Sequence, residues 1–390
     1  MKTINVGVIG MGWMGQAHSR SYLSVPLNFP EVGIKPRLVI CSDNVEARAK
    51  SAQELLGFER STTNWREVIA DSEVEVVNIC APNDLHVEIA SAAAAAGKHI
   101  FCEKPVGRSP METAVIERAA REAGVITGVG YNYRWAPMVQ HACHLIHEGK
   151  LGEMQIWRSR FFSMYGANPL GLLTWRFDSE IAGTGALGDL LSHVIDMTHM
   201  MVGPIKKVFG QKHTYITERP LPIPGKGTHY SAGHPDDPRG PVNNEDYVGA
   251  LVEFMNGMVG TLETCRTIVG PKSQFAFEWH GSGGALGWDH ERLNELSLYR
   301  PTADGMDDGY TRVLGGDKYP HHGNFVPGDG NSIGYEDLKV IEVLEFLKSI
   351  AAGRAHVPGF AEALAVAEVS AAIARSWDSG TWETVAPIEV

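Results

Sequence analysis

Between residue 4 and about residue 130, short apolar runs alternate with stretches whose apolar positions recur at helical spacing. The runs near 4–9, 37–42, 74–80, 98–102 and 125–130 read as strands. Those between them, 14–24, 44–56, 64–70, 84–96 and 110–123, read as helices. Strict strand–helix alternation predicts a doubly wound parallel sheet, because a parallel connection must travel back along the sheet before the next strand begins. After Gly130 the pattern changes. A helix at 137–148, a strand at 154–163 and a helix around 186–201 lead into long alternating strands at 205–217, 247–256, 258–269 and 273–280. Period-2 alternation in consecutive strands predicts a large, open, mostly antiparallel sheet with one buried face. Helices at 336–352 and 361–377 and a strand at 381–385 close the chain. The fold class is α/β: a parallel-sheet domain over 1–130 and an α+β domain over 131–390.

A chain of 390 residues suits two such cores. The net charge of −12 comes without any cluster of Lys and Arg, which removes nucleic acid and anionic membrane as expected partners. Five cysteines without a C-x-x-C spacing argue against a disulfide framework or a zinc knuckle and fit a reducing cytoplasm. No run approaches the ~18 apolar residues of a membrane span. A bare apolar sheet face invites pairing, so a second subunit is its expected cover, in a homodimer or homotetramer. Residues 213–245 hold six prolines and four glycines, too long for a plain connection, and read as a subunit arm or the wall of a site. Residues 301–335 are a second glycine-rich excursion. His141, His144 and His147 recur in steps of three, which turns the last about 600° from the first, so no metal is expected there. His321-His322 and His229, His234, Asp236 and Asp237 read as solvated turns.

Gly10-Met11-Gly12-Trp13-Met14-Gly15 follows the first strand and opens the first helix, the position that a G-x-G-x-x-G dinucleotide motif requires. Gly10 permits the tight turn, Gly12 the approach of the pyrophosphate, and Gly15 close helix packing, with Trp13 and Met14 beside the cofactor. Asp43 ends the second strand, 28 residues after Gly15, where an acid reads the ribose hydroxyls of NAD. It also forms a D-x-x-E capping box with Glu46, and Arg48 keeps NADP open as the alternative. Ala81, Pro82, Asn83 and His86 follow the fourth strand at the ligand edge, where His86 is either a cofactor neighbour or a packed helix-start residue.

Glu103-Lys104-Pro105 ends the fifth strand at that same edge. A lysine there can hold a developing alkoxide, with Glu103 orienting its ammonium; a surface ion pair is the plain alternative. In Gly185-Ala186-Leu187-Gly188-Asp189-Leu190-Leu191-Ser192-His193, Asp189 and His193 stand at i and i+4 on one helix face. Histidine suits the removal of a hydroxyl proton near neutral pH. Lys104, Asp189 and His193 are thus the candidate catalytic residues. Trp135, Tyr165, Trp175 and Arg176 are candidates for a sugar-binding wall or for core packing.

These motifs, together with Gly130-Tyr131-Asn132-Tyr133-Arg134, occur in the order and approximate spacing of the Gfo/Idh/MocA oxidoreductases, which the chain resembles over nearly its whole length. The resemblance implies a Rossmann domain, an open-faced α/β domain, NAD(P), sugar or cyclitol substrates and oligomers. It implies that Lys104, Asp189 and His193 form the catalytic triplet and that Glu103 and Tyr133 border nicotinamide or substrate. The long 213–245 segment and the wide gap before Asp43 depart from the family pattern. The expected activity is NAD-dependent oxidation of a ring CH–OH to a ketone. Its rivals are an NAD-assisted glycoside-cleaving enzyme and a non-catalytic NAD-binding module.

Overall fold

The computed structural model describes residues 1–223, 228 and 230–388. Pro224, Gly225, Gly227 and His229, singled out in the sequence, lie outside the described residues. Contacts divide the chain into two units: residues 1–135 with 334–365, and residues 136–333 with 366–387.

The first unit begins with β1 (Lys2–Ile9), α1 (Trp13–Asn28), β2 (Ile34–Ser42), α2 (Glu46–Leu56), β3 (Arg60–Thr62), α3 (Trp65–Ala70) and β4 (Val76–Ile79). It continues with α4 (His86–Ala95), β5 (His99–Cys102), α5 (Pro110–Ala123) and β6 (Thr127–Val129). The strands form one parallel sheet in the order β3-β2-β1-β4-β5-β6. The order reverses between β1 and β4, which opens a crevice at their carboxyl ends where such sheets bind ligands. β4 is buried throughout, which is why it reads as a continuous apolar run rather than an alternation. β3, a polar edge strand of Arg60, Ser61 and Thr62, has no such signal and is absent from the sequence reading. The Asp43–Glu46 capping box is also corrected. Val45 is the N-cap of α2, no side chain caps it, and Asp43 Oδ1 accepts the Val45 N–H at 2.9 Å in a turn ahead of the helix.

The second unit starts with α6 (Pro137–His147), β7 (Met154–Ser163), α7 (Ser179–Ala182) and α8 (Ser192–Met201). Strands β8 (Ile205–His213), β9 (Glu218–Pro220), β10 (Arg239–Pro241), β11 (Tyr247–Phe254), β12 (Val259–Cys265) and β13 (Ser273–Gly281) follow. Next come β14 (Ala285–Asp289), β15 (Glu295–Tyr299), β16 (Tyr310–Leu314) and α9 (His322–Phe325). Helices α10 (Tyr335–Ala352) and α11 (Phe360–Ser379) and strand β17 (Glu383–Thr384) complete the chain, with α10 packed in the first unit. The large sheet runs β16-β15-β14-β13-β7-β12-β11-β8-β17, and only β7/β12 among these neighbours is parallel. Its buried face carries stacked Trp157, Phe277 and Trp288, and the Trp157 indole N–H donates to Thr198 of α8 at 2.9 Å.

The 301–335 excursion contains β16 and α9, and His322, expected in a solvated turn, is wholly buried with Nε2 2.8 Å from the Asn331 carbonyl. His234 and Asp236 are exposed. Segment 213–245 pairs β9 with β10 and bridges Ala232 to Gly171.

Beyond α10, His356 is buried beside Trp135 and Phe346 in the first unit. Burial, with Arg134 and Arg354 nearby, pushes its imidazole down to about 4. The ring is neutral in the fold and gains a proton on unfolding, so this contribution is full above about pH 6.5 and lost as pH falls from there toward 4, worth about 3 kcal/mol. Urea midpoints measured between pH 7 and pH 4 are expected to fall less steeply in His356→Gln than in the parent chain.

Candidate active site

In the first unit each glycine of the loop after β1 answers a separate requirement. Gly10 has φ +91, and a Cβ there would sit 2.6 Å from the Cys80 carbonyl oxygen. A Cβ on Gly15 would lie 1.9 Å from the Gly10 carbonyl oxygen, so α1 approaches the loop closer than any side chain allows. A Cβ on Gly12 would meet nothing within 4 Å, which is the open space a pyrophosphate needs. Gly12 is the N-cap of α1, with no side-chain cap and no acid in the first turn, so the helix N–H groups face an anion site unopposed.

Asp43 closes the loop from the side. It is buried, its Oδ2 accepts the Met11 N–H at 2.9 Å, and Arg48 reaches both oxygens at 3.2 Å. The acid therefore braces the glycine loop. Trp13 is half exposed and stacks on Tyr335 at 5.8 Å, and Tyr335 meets the buried Tyr133 edge-on at 6.1 Å. Met14 lies on the first turn of α1. Ala81, Pro82 and Asn83 follow β4, with Asn83 buried. His86 is wholly buried with its nitrogens 2.9 Å from the Ala81 carbonyl and 3.0 Å from that of Pro105. Burial lowers its pKa, so the neutral ring donates to one carbonyl at a time and ties together the loops after β4 and β5.

Glu103 has buried partners beyond the neighbouring lysine. Its Oε1 lies 2.8 Å from Lys339 Nζ and 2.7 Å from His18 Nε2, while Oε2 accepts the Lys104 backbone N–H at 3.3 Å. Burial pushes this carboxyl up, Lys339 and His18 pull it down, and the balance holds it well below the usual carboxylate range. The surface ion pair between Glu103 and Lys104 is excluded by the burial of Glu103, and its ammonium partner is Lys339 on α10. Lys104 itself is half-buried in the turn after β5.

In the second unit Asp189 lies in a π-helical turn, Leu187–Leu191, that runs directly into α8 and His193. Such wide turns recur at functional sites because they re-aim side chains within a helix. A Cβ on Gly185 would lie 2.1 Å from the Glu245 carbonyl oxygen, and that oxygen accepts the Ala186 N–H at 2.9 Å. Tyr165 donates its hydroxyl to Asp189 Oδ2 at 2.7 Å. Burial and the Asp189 carboxylate push the phenol well up, so it remains a donor at neutral pH. His193 is buried between Phe161 at 6.0 Å and Phe275 at 6.5 Å. The Arg176 guanidinium lies 4.4 Å from the Trp175 ring centre. The structure thus joins Tyr165 to Asp189 and Trp175 to Arg176, and keeps Trp135 in the first unit against His356.

Two arginines absent from the sequence reading hold the 164–178 stretch. Arg219 and Arg266, both wholly buried, lie 4.1 Å and 4.5 Å from the Phe177 ring centre. Arg219 donates to the carbonyls of Gly166 and Asn168, and burial pushes it down to about 10. Arg266 pairs with Asp246 at 2.7 Å and donates to the Arg176 carbonyl at 3.1 Å.

A dinucleotide loop over an uncapped helix, with a lysine after β5, defines the class: an NAD-binding oxidoreductase. The model of the oxidoreductase family with an NAD-binding Rossmann fold matches residues 4–131, and that of the GFO/IDH/MocA C-terminal domain matches residues 139–287. The chain is 38% identical over 389 residues to levoglucosan dehydrogenase of Pseudarthrobacter phenanthrenivorans, covering 100% of both. It superposes with a TM-score of 0.92 on levoglucosan dehydrogenase in complex with NADH and levoglucosan, at 36% identity over 98% of this chain and 100% of that one. An NAD binding oxidoreductase from Klebsiella pneumoniae gives a TM-score of 0.92 at 34% identity, over 99% of this chain and 100% of that one. The chain belongs to the Gfo/Idh/MocA family.

Asp43→Ala is expected to weaken NADH binding about ten- to a hundredfold, the loss of one charged acceptor. NADPH should lose less, because Arg48 is released from its carboxylate. Parallel fluorescence titrations with the two cofactors check this; equal losses for both would confine Asp43 to bracing the loop.

Proposed function

We propose that the protein oxidises a ring secondary hydroxyl of a sugar or anhydrosugar to the ketone, with levoglucosan, at its 3-hydroxyl, the foremost substrate. The observation that carries this reading is Asp189, bonded by Tyr165 at 2.7 Å and placed four residues before the buried His193. Full-length likeness to levoglucosan dehydrogenase supports the substrate. NAD, when bound over Gly12, supplies the hydride acceptor at C4 of its nicotinamide. His193 takes the hydroxyl proton, the Lys104 ammonium steadies the oxygen as negative charge develops, and Asp189 anchors that hydroxyl or its neighbour. Tyr165 fixes which Asp189 oxygen faces the sugar. Trp175 offers an aromatic face to sugar C–H groups, and Arg176 grips hydroxyls.

Incubation with NAD or NADP and levoglucosan, inositols, glucose or xylose, followed by NADH absorbance, tests this. Levoglucosan is expected to give the highest kcat/KM. A preference for an inositol would make the protein a cyclitol dehydrogenase. Product without net NADH would make it a glycoside-cleaving enzyme, and silence with all substrates would leave an NAD-binding module. Lys104→Ala and His193→Ala are each expected to lower kcat by about 10² or more while NADH still binds; near-parental turnover in either would remove that residue from the chemistry.

The second sheet supports a homodimer or homotetramer built on its outer face. Leu251 is 49% exposed there with Phe209 and Thr261 as its cross-strand neighbours. Leu251→Arg should shift the mass measured by light scattering to that of one chain, and an unchanged oligomer would locate the contact elsewhere. Among the described residues no helix is long and apolar enough to cross a membrane, and all five cysteines are free, which supports a cytoplasmic location.

A further inference from the structure

Glu103 sits at the carboxyl end of β5 with its carboxylate turned inward, in space that Gly130 leaves open: a Cβ on Gly130 would lie 2.7 Å from Glu103 Oε2. A carboxylate at such depth stays charged only beside a cation. Lys104 is the next residue, yet the cation at Oε1 is Lys339, which is 1% exposed and reaches it at 2.8 Å from the second turn of α10. Glu342, one helical turn on, lies 3.3 Å from the same ammonium. His18 of α1 completes the contact at 2.7 Å, and burial and Lys339 lower its pKa, so the neutral ring donates to Glu103. The other ionisable groups around this cluster are Tyr22, Cys80, Cys102 and Tyr335.

We propose that Lys339 is a positioning residue for the reaction: by holding Glu103, whose other oxygen takes the Lys104 N–H, it fixes the Glu103–Lys104 backbone. The same helix end also places Tyr335 on Trp13 of the glycine loop and pairs Glu336 with Arg20 of α1 at 2.6 Å. α10 therefore sets the turn after β5 and the start of α1 together. Without the Lys339 ammonium the Glu103 carboxylate that holds the Lys104 N–H loses its anchor, and a displaced lysine forfeits turnover far more than cofactor binding, by about 10²-fold for an ångström of misplacement.

The inference rests on Lys104 meeting the substrate oxygen, so Lys104→Ala is assayed alongside. With NAD and levoglucosan, Lys339→Met is expected to lose about 10²-fold in kcat. Its NADH affinity and KM should stay within about threefold of the parent chain, and Lys339→Arg, which keeps the charge, should recover most of the rate. The triple variant Glu103→Gln/Lys339→Met/Glu342→Gln removes all three buried charges, so its thermal midpoint is expected to return toward that of the parent while its kcat stays low. A purely structural ion pair predicts the opposite, with kcat returning alongside stability, and that result overturns the proposal, as does a parental kcat in Lys339→Met. If Lys339→Met does not fold, the kcat of the triple variant decides alone. Full activity in Lys104→Ala would refute the role of Lys104 itself, a separate failure.

Discussion

A carboxylate buried at the end of a parallel strand must be neutralised from somewhere, and here the cation comes from 236 residues further along the chain. The pairing of Glu103 with Lys339 explains why a helix near the end of the chain packs in the unit built by its beginning. α10 is buried nearly all round, with Leu338, Val340, Ile341, Val343 and Leu344 supplying the apolar area. That area gives attachment without direction. The directional element is the ammonium, which binds productively only in the register that brings it to Glu103, and this is the use for which buried ionic groups are best suited.

The second unit solves a related problem by other means. The stretch that carries Tyr165, Trp175 and Arg176 has little regular structure, so its carbonyls need donors from elsewhere. Arg219 and Arg266 supply them with guanidinium groups packed near Phe177. Arginine fits because its planar group can lie over the Phe177 ring while its fixed donors serve separate carbonyls. The π turn at Leu187–Leu191 belongs to the same arrangement: Glu245 takes the Ala186 and Leu187 N–H groups at the start of the turn, through its backbone and its side chain.

What was legible in the sequence follows from how local each signal is. The glycine loop, the helices behind it and the strands β1, β2, β4, β5 and β6 declare themselves within a few residues, and the parallel sheet and the largely antiparallel second sheet follow from their patterns. β3 is too short and polar to show a period, and β14 to β16 fall in a glycine-rich stretch whose strands are about five residues long. Asp43 fitted a capping box by spacing, but the helix starts later because its carboxylate is drawn to Met11 and Val45. Lys339 and Glu342 did leave a trace: two opposite charges three residues apart in an apolar helix. The trace names no partner, because Glu103, Arg266 and Arg219 meet their contacts across long separations that no periodicity records.

The aspartate and histidine of the second unit show how an i, i+4 spacing can stand on a geometry other than the regular α-helix. An ideal α-helix puts residues i and i+4 on one face by rotation alone. Here Asp189 is turned by a wider helical loop, while His193 sits in regular α-helix against Phe161 and Phe275. The two side chains are thereby given different surroundings: an acid steadied by a phenol, and an imidazole among aromatic rings. In the roles proposed for them, Asp189 as hydroxyl anchor must keep its charge and His193 as proton acceptor must be able to change it, so a helix that treats neighbouring positions unequally serves that chemistry better than one that repeats.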